Sequence, residues 1–470
     1  MILIKAAFLI SFLAIISNAL GQSQKTKTSR IKNEGSTSTD STQKVNWLKK
    51  NAIPIKSIDP LDDDFSDLMP LIKIIGDAQV VMVGEPNHHI GTVYSAKTRL
   101  VKFLHQEMGF NLLTFESGMY DVAKAWQEIK AEKNENKVFN NAVFFGNYEE
   151  YKPLISYLKR TSNAKKPLEI AGFDSQMNGS YSKDSLFSEL RRFFRSINYL
   201  SPTLDDSSFF ARELTKANSF YKRANAPDKT VIDTLNLLLK RIDSLAPKPH
   251  IYETSFYIQT LKSLKRETQN KLLFGTILSL SGADRQRLFN LYSSIRDEQM
   301  AENLLWYLKQ NPKQKIIVWA HNVHVMTDYP GDMTKEMWNE KPDAPPAAKA
   351  NWENTYMGYI IKDSLKNKVF SIAITGNSGE LGRINHRDST RNFRFPIKKS
   401  TRAGVLENYL DAAGFQQAFV NFKNPPKGGE WLKGKTIIRH SASNGDEYYW
   451  HKAIDALFYV REFTLANIKD

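Results

Sequence analysis

Residues 78–89 read Ala78-Gln79-Val80-Val81-Met82-Val83-Gly84-Glu85-Pro86-Asn87-His88-His89. A short β-prone apolar run breaks into Gly-Glu and then two histidines. Continuous apolar residues suit a strand covered on both faces, whereas a half-solvated strand alternates. Four more runs share the form. Phe110 to Phe115 leads into Glu116-Ser117-Gly118, Leu168 to Phe173 into Asp174, Lys315 to Ala320 into His321, and Val369 to Ile374 into Thr375-Gly376. Helix-period segments lie between them. One is Ser95 to Met108, with Leu100, Val101, Phe103 and Leu104 on one face, and another is Tyr148 to Arg160. This alternation predicts an α/β fold, a mostly parallel central sheet flanked by helices. Ligands of such folds sit at the carboxyl ends of the strands. Four of the five runs end in an acidic or His residue there.

From about Ser182 to Gln310 the pattern becomes helical. Segments 184–197, 204–224, 229–245, 251–273 and 284–309 have helical spacing, as in Leu235, Leu238, Leu239 and Ile242. This predicts a helical insertion subdomain, about 182–310, that packs on the sheet inside one α/β domain over 46–470. Residues 1–21 read as a secretory signal: Lys5, an apolar run from Ala6 to Ile16, and small residues before a cut after Gly21. The run is short for a membrane span. The expectation is an exported protein, periplasmic or extracellular, with no stable membrane insertion after cleavage. Residues 22–45, rich in Ser, Thr, Gln and Lys, read as a disordered linker.

The 470 residues carry a formal charge of +15, which invites a nucleic-acid reading. Its placement argues otherwise. Residues 22–50 hold seven Lys/Arg against two Asp/Glu, and the stretch Arg383 to Arg402 reads as a solvated loop or hairpin. No zinc-finger or RNA-binding signature occurs, so the expected partner is a small molecule. Cysteine is absent. That excludes disulfides, a thiolate nucleophile and sulfur-ligated metal.

Chemistry therefore falls to His and carboxylates. Glu85 and His88 are three apart in a loop, where a carboxylate can fix the imidazole tautomer and raise its basicity. His321-Asn322-Val323-His324 follows another strand, and Glu116 a third. Such a set either activates water directly or binds a metal. There is no His-Glu-x-x-His metalloprotease motif and no Gly-x-Ser-x-Gly nucleophile elbow.

These residues resemble the erythromycin esterase family over roughly residues 70–465. The opening motif, Gly-Glu-x-x-His and a following basic helix, matches Gly84-Glu85-Pro86-Asn87-His88, then Lys97 and Arg99-Leu100. Phe115-Glu116, Gly172-Phe173-Asp174, Arg296-Asp297 with Met300-Ala301 and Asn303, and Trp319-Ala320-His321-Asn322-Val323-His324 are similar to later motifs. The resemblance implies hydrolysis of an ester, such as a macrolide lactone, without metal or other cofactor. It implies His88 as general base, with Glu85, Lys97, Glu116, His321 and His324 as further site residues. Lys97, or a protonated His321 or His324, would stabilise the oxyanion. Two positions depart from the pattern: His89 stands where the family usually has Gly, and Thr92 where many members have an acid.

Overall fold

The structure is a computed structural model that describes residues 34–133, 135–143, 146–196, 232–233, 235–236, 239–240, 252–278, 280–328, 356–385 and 392–468. Its strands are β1 (Ile53–Pro54), β2 (Val80–Val83), β3 (Leu112–Gly118), β4 (Glu169–Asp174), β5 (Ile316–Trp319), β6 (Val369–Asn385), β7 (Phe393–Ile397), β8 (Gln417–Asn421), β9 (Thr436–Ile438), β10 (Asp446–Tyr448), β11 (Ala456–Phe463) and β12 (Asn467–Ile468). The helices used below are α1 (Glu34–Asn51), α2 (Gly91–Met108), α3 (Met119–Lys130), α4 (Lys152–Ser162), α5 (Tyr252–Leu278), α6 (Gly282–Gln310), α7 (Asn322–Val325), α8 (Met357–Leu365) and α9 (Leu406–Ala412).

The main sheet runs β1-β8-β11-β6-β2-β5-β3-β4, with β7 and β12 added on β6. From β11 to β4 every neighbour is parallel. β8 is antiparallel to β11 and to β1. The fold is thus mixed α/β with a mostly parallel sheet, as the strand runs predict. Both faces of the central strands are covered, and the strand period of two sorts their side chains. Val81, Val83, Leu113, Phe115, Ile317 and Trp319 pack on one face with Leu100, Phe103 and Leu104 of α2 and residues of α3 and α4. Val80, Met82, Leu112, Ile316 and Val318 pack on the other with Met300, Ala301 and Leu304 of α6 and Met357 and Ile361 of α8. Helix α2 starts one turn before the expected Ser95. It stops at Gly109, which takes the left-handed conformation (φ +70°) and returns its N–H to Leu104 O.

Two readings change. The linker expected over 22–45 is helical from Glu34 onward in α1. Packing overrides the poor helix propensity of its Ser and Thr residues. Leu48 is fully buried, Trp47 stands edge-on to Trp431 at 5.7 Å, and its indole N–H donates to Lys427 O at 3.0 Å. Second, β6 runs on past Gly376 to Asn385, because β7, β11 and β12 all give its outer half partners. The basic stretch from Arg383 falls at this hairpin. The second half of α6, the last helix of the insertion, lies on the sheet. The segment 204–224 and most of 229–245 lie outside the described residues, as do residues 1–21. Among the described residues no helix is long and apolar enough to cross a membrane.

The turn out of β2 is tight. Gly84 N–H donates to Ile372 O at 2.8 Å, and a Cβ placed on Gly84 would lie 2.1 Å from Asn322 Oδ1 and 2.9 Å from Asn322 Cα. Asn322 itself bonds Ile374 O and His440 O, so it has no room to yield. Gly84→Ala should therefore destabilise the fold by about 1–3 kcal/mol through overpacking, read as a lower urea midpoint. An unchanged midpoint would contradict this account of the turn.

Candidate active site

Four adjacent parallel strands, β2, β5, β3 and β4, open their carboxyl ends together. They deliver Glu85 just after β2, Ala320 and His321 after β5, Glu116 within β3 and Asp174 at the end of β4. The strand-end residues picked out in the sequence thus meet along one edge.

Glu85 is 3% exposed. Its carboxylate takes three donors: His88 Nδ1 at 2.7 Å, Lys97 Nζ at 2.8 Å and Trp319 Nε1 at 3.1 Å. Lys97, fully buried on α2, also donates to Ala320 O at 3.2 Å, with its ammonium 4.4 Å from the Trp319 ring centre. Burial raises the Glu85 pKa, but Lys97 and His88 more than offset it and hold it below the usual value. Burial draws Lys97 down to about 8 against the pull of Glu85. Both are charged at neutral pH. With Nδ1 of His88 turned to a carboxylate, the proton belongs on Nδ1 and the lone pair on Nε2. His88 lines a cavity with Tyr94, Phe115, Glu116, Tyr151 and Trp319. Burial and the nearby Glu85 charge keep the Tyr94 and Tyr151 phenols well above their usual pKa, so both are neutral.

The two other histidines differ. His321 Nδ1 accepts from Val323 N–H at 3.2 Å and caps α7, while Nε2 donates to Pro86 O at 3.1 Å. Burial and repulsion from His88 push it down to about 3, so it is a neutral ring. Its backbone N–H donates to Glu116 Oε2 at 2.9 Å. His324 lies between two carboxylates, with Nδ1 2.5 Å from Asp297 and Nε2 3.4 Å from Glu116. Burial opposes its charge, but Asp297 and Glu116 win and raise it to about 10. Arg296 forks onto Asp174 at 3.1 and 2.6 Å and reaches Glu116 at 2.8 Å.

All six residues singled out in the sequence therefore gather here, in two groups. Glu85, His88 and Lys97 form one, and Glu116 and His324 the other, with His321 between them. The oxyanion role expected of Lys97 does not fit, because its ammonium is spent on Glu85, Ala320 O and the Trp319 face. His321 cannot supply positive charge either. The structure adds Arg296, Asp297, Asp174, Trp319 and Tyr151. The first four lie in motifs visible in the sequence, while nothing local marks Tyr151. Among the described residues no group of three or more His, Asp or Glu is arranged to hold a metal ion. Both ring nitrogens of His321 and His324 already face other groups. Of the two departures, His89 holds φ +73° with its ring buried, a conformation that costs an L-residue roughly 1–2 kcal/mol. Thr92 Oγ1 accepts from Thr464 N–H at 3.2 Å.

Carboxylates and histidines thus converge at the ends of a parallel sheet, where ligands of such folds sit. The erythromycin esterase family model matches residues 105–463, and the chain belongs to that family of hydrolases. It is 26% identical over 405 residues to a putative hydrolase, YbfO, of Bacillus subtilis, covering 82% of this chain and 83% of that one. It is 24% identical over 444 residues to erythromycin esterase type II of Escherichia coli, covering 90% and 98%. Among solved structures, a mutant of the erythromycin esterase EreC in its open conformation superposes with a TM-score of 0.63 at 16% identity, covering 88% and 98%. A succinoglycan biosynthesis protein superposes with a TM-score of 0.68 at 18% identity, covering 92% and 99%. Both solved structures share the fold.

The opposite protonation states are testable by ring ¹⁵N NMR. His321 should stay neutral down to about pH 4 and His324 doubly protonated up to about pH 9. The folded pKa of His324 lies above the unfolded one, so its contribution is complete below about pH 6.5 and is lost as pH rises toward about 10. Urea midpoints should fall over that interval, and less so in His324→Asn. Ordinary titration of both rings near pH 6.5 would refute the assignment.

Proposed function

We infer that the protein hydrolyses an ester of a small molecule, with His88 as general base. The observation that carries this is the Glu85–His88 bond of 2.7 Å beside a cavity. Glu85 fixes the proton on Nδ1, and Nε2 then takes a proton from water as the water oxygen attacks the acyl carbon. The tetrahedral intermediate collapses, the C–O bond to the alcohol breaks, and His88 returns the proton to the leaving oxygen. The products are an acid and an alcohol; a lactone opens to a hydroxy acid. Lys97 acts through Glu85, keeping it ionised and oriented. The His324 and Arg296 cations supply positive potential for the developing oxyanion, and Glu116 holds both in place. Ester and lactone substrates are favoured by the relatives named erythromycin esterase, and macrolide lactones, with loss of antibiotic activity, are the first to test. The metal-dependent alternative is disfavoured by His321 and His324, whose ring nitrogens are already engaged.

Mass spectrometry after incubation with macrolides and simple esters should show a gain of one water. His88→Ala should lower kcat by about 10²–10⁴-fold with its thermal midpoint near that of the wild type. Full turnover by this variant would remove His88 from its role.

We also place the enzyme outside the cytoplasm, on the reading of residues 1–21 as a signal. N-terminal sequencing of protein expressed from the full chain should begin at Gln22. An intact Met1 on protein from the soluble cytoplasmic fraction would overturn it.

A further inference from the structure

The residue after the candidate base holds a backbone conformation rare for any residue but glycine. His89 has φ +73° and is 7% exposed. Such strain persists only where the surroundings over-determine it, and it gathers at functional sites. Here the surroundings do so. The His89 N–H donates to Tyr94 OH at 3.0 Å, and its C=O accepts from Ala466 N–H at 2.9 Å. Its Nδ1 shares a hydrogen bond with the Tyr148 hydroxyl, and its ring stands edge-on to Phe393 at 5.9 Å. Tyr148 is itself buried and stacks on Tyr94 at 5.7 Å.

The chain's C-terminal segment completes the grip. Gly91 N–H donates to Thr464 O at 2.8 Å, Ile90 bridges to Leu465, Tyr148 bridges to Ile468, and Asn467 N–H reaches Glu150 at 3.1 Å. The loop from β2 to α2 is thus held by segments far along the chain. His88 lies inside that grip. Its ring is edge-on to His89 at 6.4 Å and to His321 at 5.6 Å.

The geometry points to His89 and Tyr148 as positioning residues that orient the His88 ring through the shared loop backbone, with the C-terminal segment as their backing. This rests on His88 being the base. Glu85 holds the Nδ1 end of the imidazole. The direction of Nε2 depends also on where the His88 backbone sits, and the locked conformation of the next residue sets that.

The test uses Tyr148→Phe, His89→Gly, the double variant and His89→Asn in the full chain. Each is read by steady-state ester hydrolysis, thermal midpoint and ring ¹⁵N NMR, with His88 signals assigned from His88→Ala. Tyr148→Phe and His89→Gly should each lower kcat about ten- to a hundredfold, the cost of a misplaced catalytic group, with KM within about twofold. The double variant should be no worse than the poorer single. His89→Asn, which tolerates positive φ and keeps a polar side chain, should recover part of the loss relative to His89→Gly. The His88 ring should pass from a single Nδ1–H tautomer in the wild type to a mixture in the variants. Lowered thermal midpoints with wild-type kcat and an unchanged His88 tautomer would reduce the pair to packing and overturn the proposal. If Tyr148→Phe does not fold, His89→Gly, which relieves the backbone, decides the matter. Should the wild type hydrolyse no ester at all, the hydrolase reading fails separately, and the tautomer comparison still judges this one.

Discussion

One buried carboxylate organises the site. Glu85 lies almost wholly out of water, where an ionised group survives only if charge and hydrogen bonds replace its hydration. Its three donors come from three parts of the fold: His88 from its own loop, Lys97 from α2 and Trp319 from the end of β5. Each is in reach only because β2 pairs with β5 and α2 packs back across them. The stability of the ion and the correctness of the fold are therefore one condition. Lys97 also bonds Ala320 O and covers the Trp319 ring, which ties the β5 turn to the same charge.

A second group of charges sits beside the first. Glu116, Asp174 and Asp297 surround Arg296 and His324, three carboxylates against two cations. The excess of negative charge keeps His324 protonated. His321, three residues earlier, is neutral because burial and the nearby His88 disfavour its charge, and its ring bonds backbone groups. Two histidines in one short motif thus do different work. One is a structural cap and a spacer, and the other a fixed positive charge.

The parallel core was legible in the sequence because its strands are buried on both faces. Val80–Val83 and Ile316–Trp319 are short apolar runs, mostly β-branched, that end in polar turns, as doubly covered strands do. Elements whose order comes from partners were less legible. The Ser- and Thr-rich start of α1 looks like a linker until Trp47 and Leu48 are seen to dock near Trp431 and α9. The outer half of β6 carries Gly376, Gly379 and Gly382, and it stays extended because β7 and β11 pair with it. In the site, the acids and histidines at strand ends stood out by position. Tyr151 did not, since it enters from a turn before α4 with no chemical signature of its own.

By itself, the sequence determined that apolar runs ending in Glu85, Glu116, Asp174 and His321 would put these groups at one end of a parallel sheet. It also determined that, without cysteine, His and carboxylates would carry the chemistry. Burial patterning and residue inventory are local properties, and they can be read one segment at a time. Only the tertiary structure decided which histidine is charged, which is neutral and which is presented to the cavity. It alone turned Lys97 from a candidate oxyanion donor into the partner of Glu85. Protonation and orientation depend on the few ångströms between side chains from distant segments, and no single segment contains that distance.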